Sequence, residues 1–316
     1  MDRQNGHLRI LIYGAGVIGS LYAVYLSRAG CSVSVLARSR RLEELHANGL
    51  LYWHKGGVSR AEVTVLERLA PEDMYDYVFL TVRAEQMHEA LTELRGNKSP
   101  VIVTMVNSLK PYADWEALCG KGRILPAFPG AGGGFTDGTL DAALTPRLVQ
   151  PTAFGEISGV ETARARTLKA LFRRAGIPCQ VVPDMHAWQL CHLAMVVPLA
   201  DAYYRIGGDP AEAWRDKAVM RQTAEELHRS FRALRQKGYG ILPGKLKLFL
   251  WCPAGILAAI LPFVYRSRFG DRFMYRHAMK AKSEMDALHR EFYTFLSDAP
   301  DRTSPLGIKE RKGTKP

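Results

Sequence analysis

Residues 8–30 read LRILIYGAGVIGSLYAVYLSRAG, and this stretch decides the fold. LRILIYG (8–14) is a continuous apolar run that ends in glycine, the pattern of a strand buried on both faces. Residues 17–29 place Ile18, Leu21, Tyr22, Tyr25 and Leu26 at helical spacing, and Gly30 stops them. Between the two lies Gly14-Ala15-Gly16-Val17-Ile18-Gly19. A GxGxxG pattern by itself is weak, but after a strand and at the opening of a helix it reads as a dinucleotide-binding turn. Its glycines allow a tight turn and a close backbone approach, while the helix N-terminus offers free N–H groups and a positive dipole end to a pyrophosphate. The competing reading is a glycine turn in some other α/β protein.

Working outward, SVSVLA (32–37) predicts the second strand and residues 41–47 a helix; YVFLTV (77–82) and VIVTMV (101–106) predict two further strands. Strands alternating with helices imply parallel β-α-β units and a doubly wound sheet. A site for NAD usually has Asp or Glu at the end of the second strand, on the ribose 2′-hydroxyl. Here Ala37-Arg38-Ser39-Arg40-Arg41 stands in its place, with no carboxylate before Glu43. Arginine and serine suit a 2′-phosphate, so NADPH is expected, with Arg38 as its anchor; a solvated helix start is the alternative. Two more loops follow strand ends. In TVRAEQ (81–86), Arg83 is suited to an anionic group. In MVNS (105–108), Asn107 is suited to the nicotinamide ribose or amide. Each is equally readable as an ordinary polar loop residue.

After Gly130 the pattern changes. GAGGG (130–134) reads as a flexible turn, followed by strand-like segments in 146–154, a helix over 161–175 and a strand at CQVV (179–182). From Asp184 onward the spacing is helical. Met220, Ala224, Leu227, Phe231 and Leu234 share one face, and so do Ala281, Met285, Leu288, Phe292 and Phe295. The expected organisation is an α/β chain: an NADP-binding Rossmann-type doubly wound domain over 1–183, an all-α-helical substrate or oligomerisation domain over 184–300, and a basic disordered tail over 301–316. LFLWCPAGILAAILPFVY (248–265) is at the lower length limit for a membrane span and is interrupted by Pro253 and Pro262. It is expected to be buried or at a subunit interface, not inserted in a membrane.

The chain has 316 residues, enough for two domains, and at 47% hydrophobic and 23% charged its composition excludes long disorder or a small disulfide scaffold. The net charge of +12 is lopsided: 16 basic and 15 acidic residues in 1–150, against 27 and 16 in 151–316. The basic half would attract an acidic substrate or a nucleotide. No nucleic-acid-binding motif accompanies it, the nine histidines show no metal-ligand spacing, and five unpaired cysteines suggest free thiols in a cytoplasmic protein.

The chain resembles the ketopantoate reductase (2-dehydropantoate 2-reductase) family. The pieces that carry the resemblance are ILIYGAGVIGSLYAVYLSRAG, VLARSRRLEEL, DYVFLTVRAEQ, the MVN loop, FGEISG (154–159), Trp188 and KSEMDALH (282–289). It implies a cytoplasmic, often oligomeric enzyme in which a Rossmann domain and a helical domain reduce a 2-oxo acid to a 2-hydroxy acid with NADPH. Glu284, in Ser283-Glu284-Met285-Asp286, matches the family's glutamate. The family's lysine after the domain boundary, which orients the carbonyl and supplies the proton, is replaced by Leu190 or Gln189 depending on register, and both following asparagines are lost. His192 on the same helix is a candidate acid, being suited to proton transfer near neutrality; a core or surface histidine is the alternative. His277, Lys280 and Glu284 form a second set along one stripe of the last helix. The expected function is NADPH-dependent reduction of the carbonyl of a small-molecule 2-oxo acid, ketopantoate or another, or of an imine. The alternative is a non-catalytic NADPH-binding protein.

Overall fold

The computed structural model describes residues 8–207, 213–267, 270, 275 and 282–297. The chain divides into two compact units, Met1–His186 and Ala187–Pro316. The first opens with β1 (Arg9–Tyr13), α1 (Val17–Arg28), β2 (Ser32–Leu36), α2 (Ser39–Asn48), β3 (Leu50–His54), β4 (Gly57–Ala61), β5 (Thr64–Leu66) and β6 (Tyr77–Leu80). It continues with α3 (Met87–Arg95), β7 (Ile102–Thr104), α4 (Ala113–Cys119), β8 (Ile124–Phe128), β9 (Ala131–Thr136), β10 (Thr139–Leu144), β11 (Thr152–Phe154), α5 (Ala163–Arg174) and β12 (Cys179–Val181).

Eight strands form one sheet in the order β12-β11-β8-β7-β6-β1-β2-β5. From β8 to β5 all pairings are parallel; β11 runs antiparallel to β8. The order turns back on itself at β1, with β2 on one side and β6 on the other, which is the switch point where open α/β sheets bind ligands. Alternation along β1 feeds both faces. Ile10 and Ile12 join α1 and α5 in one core, whereas Leu11 and Tyr13 join α3 and α4 in the other. Both faces are sealed, so the central strands read as unbroken apolar runs. Each fully buried Ile or Leu there contributes roughly 2 kcal/mol.

The GAGGG segment is not a flexible turn. Residues 131–136 are β9, paired antiparallel with β10 in a second, four-stranded sheet of order β4-β3-β10-β9. Asp137 (φ +48°) and Gly138 (φ +75°) close the hairpin between Thr136 and Thr139, the two-residue turn that Asp-Gly favours. Glycine density is what permits the pairing. Gly133 sits at φ +151°, and a Cβ there would meet the Asp141 carbonyl oxygen at 2.3 Å. Ala131, Phe135, Ala142 and Leu144 pack against the same core as α1. Residues 146–151 form no strand, and only Thr152–Phe154 of the 146–154 segment does.

In the second unit, α6 (Met185–Arg205) is followed by α7 (Lys217–Gln236), α8 (Leu248–Trp251), α9 (Ala254–Tyr265) and α10 (Lys282–Ser297). Asp216 caps α7, its Oδ1 accepting from the Ala218 and Val219 N–H groups at 2.8 and 3.1 Å. The face of α7 foreseen as apolar is buried, from Met220 to Leu234. The 248–265 segment breaks at Cys252-Pro253, whereas α9 runs through Pro262. Of the two expectations for this segment, burial holds within the chain for only part of it. Leu257, Leu261 and Tyr265 are buried, but Leu248, Trp251, Ile256, Ile260 and Phe263 are exposed. No helix among the described residues is long and apolar enough to cross a membrane. The five cysteines are free thiols. The tail over 301–316, with His277 and Lys280, lies outside the described residues.

Candidate cofactor site and the family resemblance

Each glycine of the Gly14–Gly19 loop has its own physical reason. Gly14 stands at φ +113°, and a Cβ would meet the Thr81 backbone at 3.1 Å. Gly19 lies in the first turns of α1, where a Cβ would be 2.0 Å from the Gly14 carbonyl oxygen and 2.9 Å from Ile12. Only glycine lets α1 lie this close to β1. Gly16, the residue before α1, faces open space: a Cβ would meet nothing within 4 Å. The helix start carries no side-chain cap and no acidic residue in its first turn, which leaves donors and a positive dipole end facing outward. The loop is held from behind. Thr81 Oγ1 donates to the Gly14 carbonyl at 2.8 Å, Ser20 Oγ to the Ala15 carbonyl at 3.1 Å, and Arg41 Nε to the same carbonyl at 3.2 Å.

Arg38 follows β2 and precedes α2. Its guanidinium donates to Glu89 at 2.7 Å, to Glu93, and to the Tyr13 hydroxyl at 3.0 Å. The bond to Glu89 raises its already high pKa. Burial, then the hydrogen bond to Glu93, pushes the Tyr13 phenol well above its ordinary value. Arg41 stacks over the Phe135 ring at 4.2 Å and pairs with Glu44 at 3.1 Å. Its Nη2 is buried with no hydrogen-bond partner. The sequence drew attention to the arginine run but not to Arg41 in particular, and nothing local marked Glu89 and Glu93 as partners of Arg38.

Arg83 follows β6 and is exposed, 3.8 Å from Glu85. Asn107 follows β7, and its buried Oδ1 has no hydrogen-bond partner. The glycine loop, Arg38, Arg83 and Asn107 thus follow the C-terminal ends of four adjacent parallel strands, the arrangement the sequence foresaw. An open glycine approach, an uncapped helix start, an orphaned guanidinium nitrogen and an orphaned amide oxygen together fit a dinucleotide.

His192 is in the second unit, on α6. It is buried and stacked on Trp188, with ring centroids 5.5 Å apart and planes within 6°. Gln189 and Leu190, on the same helix, are fully buried. Glu284 is on α10, and its side chain lies outside the described residues. The same unit holds a buried polar network that no motif announced. His289 Nδ1 meets Asp201 Oδ2 at 2.8 Å, and Arg205 Nη2 donates to both oxygens of Glu226 at 2.7 Å. Burial raises the Asp201 carboxyl above its usual range, and the bond to His289 opposes the shift. Among the described residues, no cluster of His, Cys, Asp and Glu could hold a metal ion.

Fold and loop define the class first: a Rossmann-type α/β domain followed by a helical unit. Within that class, and in line with the resemblance read from the sequence, residues 10–140 match the family described as ketopantoate reductase PanE/ApbA. A 2-dehydropantoate 2-reductase of Mesorhizobium japonicum is 36% identical over 208 residues, 57% of this chain and 61% of that protein. One of Archaeoglobus fulgidus is 28% identical over 181 residues, 56% of this chain and 57% of that protein. The chain therefore spans about three-fifths of the length of the curated relatives it matches. The crystal structure of 2-dehydropantoate 2-reductase from Geobacter metallireducens superposes with a TM-score of 0.66 at 19% identity. It covers 92% of this chain and 99% of that one, and shares the fold.

Proposed function

We propose that the chain is an NADPH-dependent oxidoreductase that reduces the carbonyl of a 2-oxo acid, or a related imine. The observation that carries this reading is the glycine loop, where Gly19 is sterically obligatory and Gly16 leaves its approach open. Bound NADPH would supply a hydride to the carbonyl carbon. The backbone of Gly14, Ala15, Gly16, Val17, Ile18 and Gly19 cradles the pyrophosphate at the start of α1. Arg38 takes the 2′-phosphate, leaving one of its carboxylate partners to do so. Asn107 accepts from the carboxamide through its orphaned oxygen, and Arg83 holds a further anionic group. Glu284 binds or orients the substrate. Reduction also needs a proton at the carbonyl oxygen, and His192 is the donor we assign. The reading places the enzyme in the cytoplasm as a homo-oligomer with a small-molecule substrate.

The test is NADPH oxidation by the purified chain against ketopantoate and a panel of other 2-oxo acids and imines, with cofactor binding followed in parallel. We expect turnover of at least one 2-oxo acid and its loss in His192→Ala with NADPH binding kept. Tight NADPH binding without turnover across the panel would replace the enzyme reading with that of a cofactor-binding protein.

A further inference from the structure

The surface formed by α8 and α9 has a composition the reductase reading does not use. Ile256, Ile260 and Phe263 recur at four- and three-residue intervals and line one exposed stripe of α9. Trp251, at the end of α8, is 71% exposed, and Leu248 one turn earlier is exposed as well. The opposite face of α9, with Leu257, Leu261 and Tyr265, is the buried one. Isolated exposed apolar residues are ordinary, but five large ones on two consecutive helices form a patch of the kind that marks an interaction surface.

Along the chain, the segment that carries this patch has charge of one sign. From Leu227 to Gly270 the sequence holds eight lysines and arginines and not one aspartate or glutamate. Lys245 and Lys247 lead into α8, and Arg266 follows α9 with its guanidinium over the Phe263 ring at 4.7 Å. Beside Trp251 a surface pocket of about 650 Å³ is lined by His228, Arg232, Arg235 and Gln236 of α7 and by Leu250 and Pro253. Arg235 lies over the Trp251 ring at 5.7 Å. The His228 Nε2 is buried with no hydrogen-bond partner. Among the described residues of its lining, this pocket presents cationic donors, an amide and an indole, and no carboxylate.

We propose that α8 and α9 dock this chain onto an anionic phospholipid surface, with a headgroup phosphate seated between Arg232, Arg235 and His228. Helix α9 has 12 residues, about 18 Å of rise against a hydrocarbon core of roughly 30 Å, so it lies in the interface and does not span it. Ile256, Ile260 and Phe263 enter the acyl boundary, Trp251 sits at headgroup level, and the flanking cations face the phosphates. Charge complementarity selects this occupant over a second copy of the chain. A two-fold contact would place each carboxylate-free basic segment against itself.

The test is flotation of the full-length protein with large vesicles of phosphatidylcholine alone or with 30% phosphatidylglycerol, at low and high salt. Particle mass in solution is measured alongside. We expect flotation with the anionic vesicles only, released by salt. Arg232→Ala with Arg235→Ala should weaken partition by about thirtyfold, on the usual contribution of each interfacial cation. Trp251→Ala with Phe263→Glu should abolish flotation, with far-ultraviolet circular dichroism and NADPH binding unchanged. Absence of flotation at low salt overturns the proposal. So does equal flotation with both vesicle types, or flotation untouched by the apolar variant. A dimer that Phe263→Glu converts to monomer, with no vesicle binding, would assign the face to a contact between copies.

Discussion

Arg38 and Arg41 are separated by one helical turn in sequence and do different things. Arg41 braces the glycine loop through the Ala15 carbonyl, whereas Arg38 is turned to Glu89 and Glu93 of α3. Two carboxylates against one guanidinium leave the pocket locally negative, so a 2′-phosphate gains Arg38 only by displacing at least one of them. A charge-assisted hydrogen bond contributes about 2 kcal/mol. Arg38→Ala should therefore weaken NADPH by roughly thirtyfold, since 1.4 kcal/mol is tenfold, and NADH by much less. The double variant Glu89→Gln and Glu93→Gln should do the reverse and tighten NADPH, because the arginine is freed and the repulsion removed. Fluorescence titration of both nucleotides decides; equal losses for both in the arginine variant would defeat the assignment. The arginine was legible from the sequence because it directly follows the second strand. Its partners were not, because they lie 51 and 55 residues away on another helix.

At the scale of elements, the FGEISG segment that contributed to the family resemblance does structural work. Glu156, just after β11, accepts from Arg164 of α5 at 2.9 and 2.6 Å and from the Thr162 hydroxyl. The same guanidinium donates to the Gly122 and Ile124 carbonyls at 2.6 and 3.0 Å, which ties α5 and β11 to the start of β8. Burial alone would push the Glu156 carboxyl up. The bonds from Arg164 and Thr162, with the charge of Arg164, outweigh it and hold the carboxyl below its usual range. A carboxylate whose folded pKa is depressed contributes stability above its unfolded pKa and loses that contribution as pH falls through the folded value. Glu156→Gln should cost about 3 kcal/mol near neutrality, as expected when one partner of a buried pair is removed. The gap to the parent should narrow progressively below about pH 4.3, the unfolded value. Urea melts from pH 7 to pH 3 measure it; a gap constant over that range would refute the clamp. The central strands and α1 were legible because local apolar patterning dictates them. Strand β9 was not, since its glycines pair only because an Asp-Gly turn returns β10 alongside them.

For the whole molecule, the division into two units says where the proposed nucleotide would act directly. Every residue assigned to NADPH, from Gly14 to Asn107, lies in Met1–His186. This half of the candidate site was legible because a glycine loop and strand ends are local signals. The Asp201–His289 pair joins residues 88 apart on two helices and left no pattern in the sequence. A ligand that binds only the folded form stabilises it by about 2.7 kcal/mol at a hundredfold excess over Kd. Amides of β1, α1, β6 and β7 that exchange through opening of the first unit should then slow by roughly a hundredfold. Residues 14–20, 38–41, 81–83 and 105–108 should show added local protection. If the two units open independently, the amides of α7 keep their rates when NADPH is added. Hydrogen exchange resolved by peptide measures both. Protection confined to the first unit supports the assignment of the nucleotide contacts. Slowing of α7 by the same factor would instead show that the two units open as one, and absence of protection at residues 14–20 would remove the nucleotide from the glycine loop.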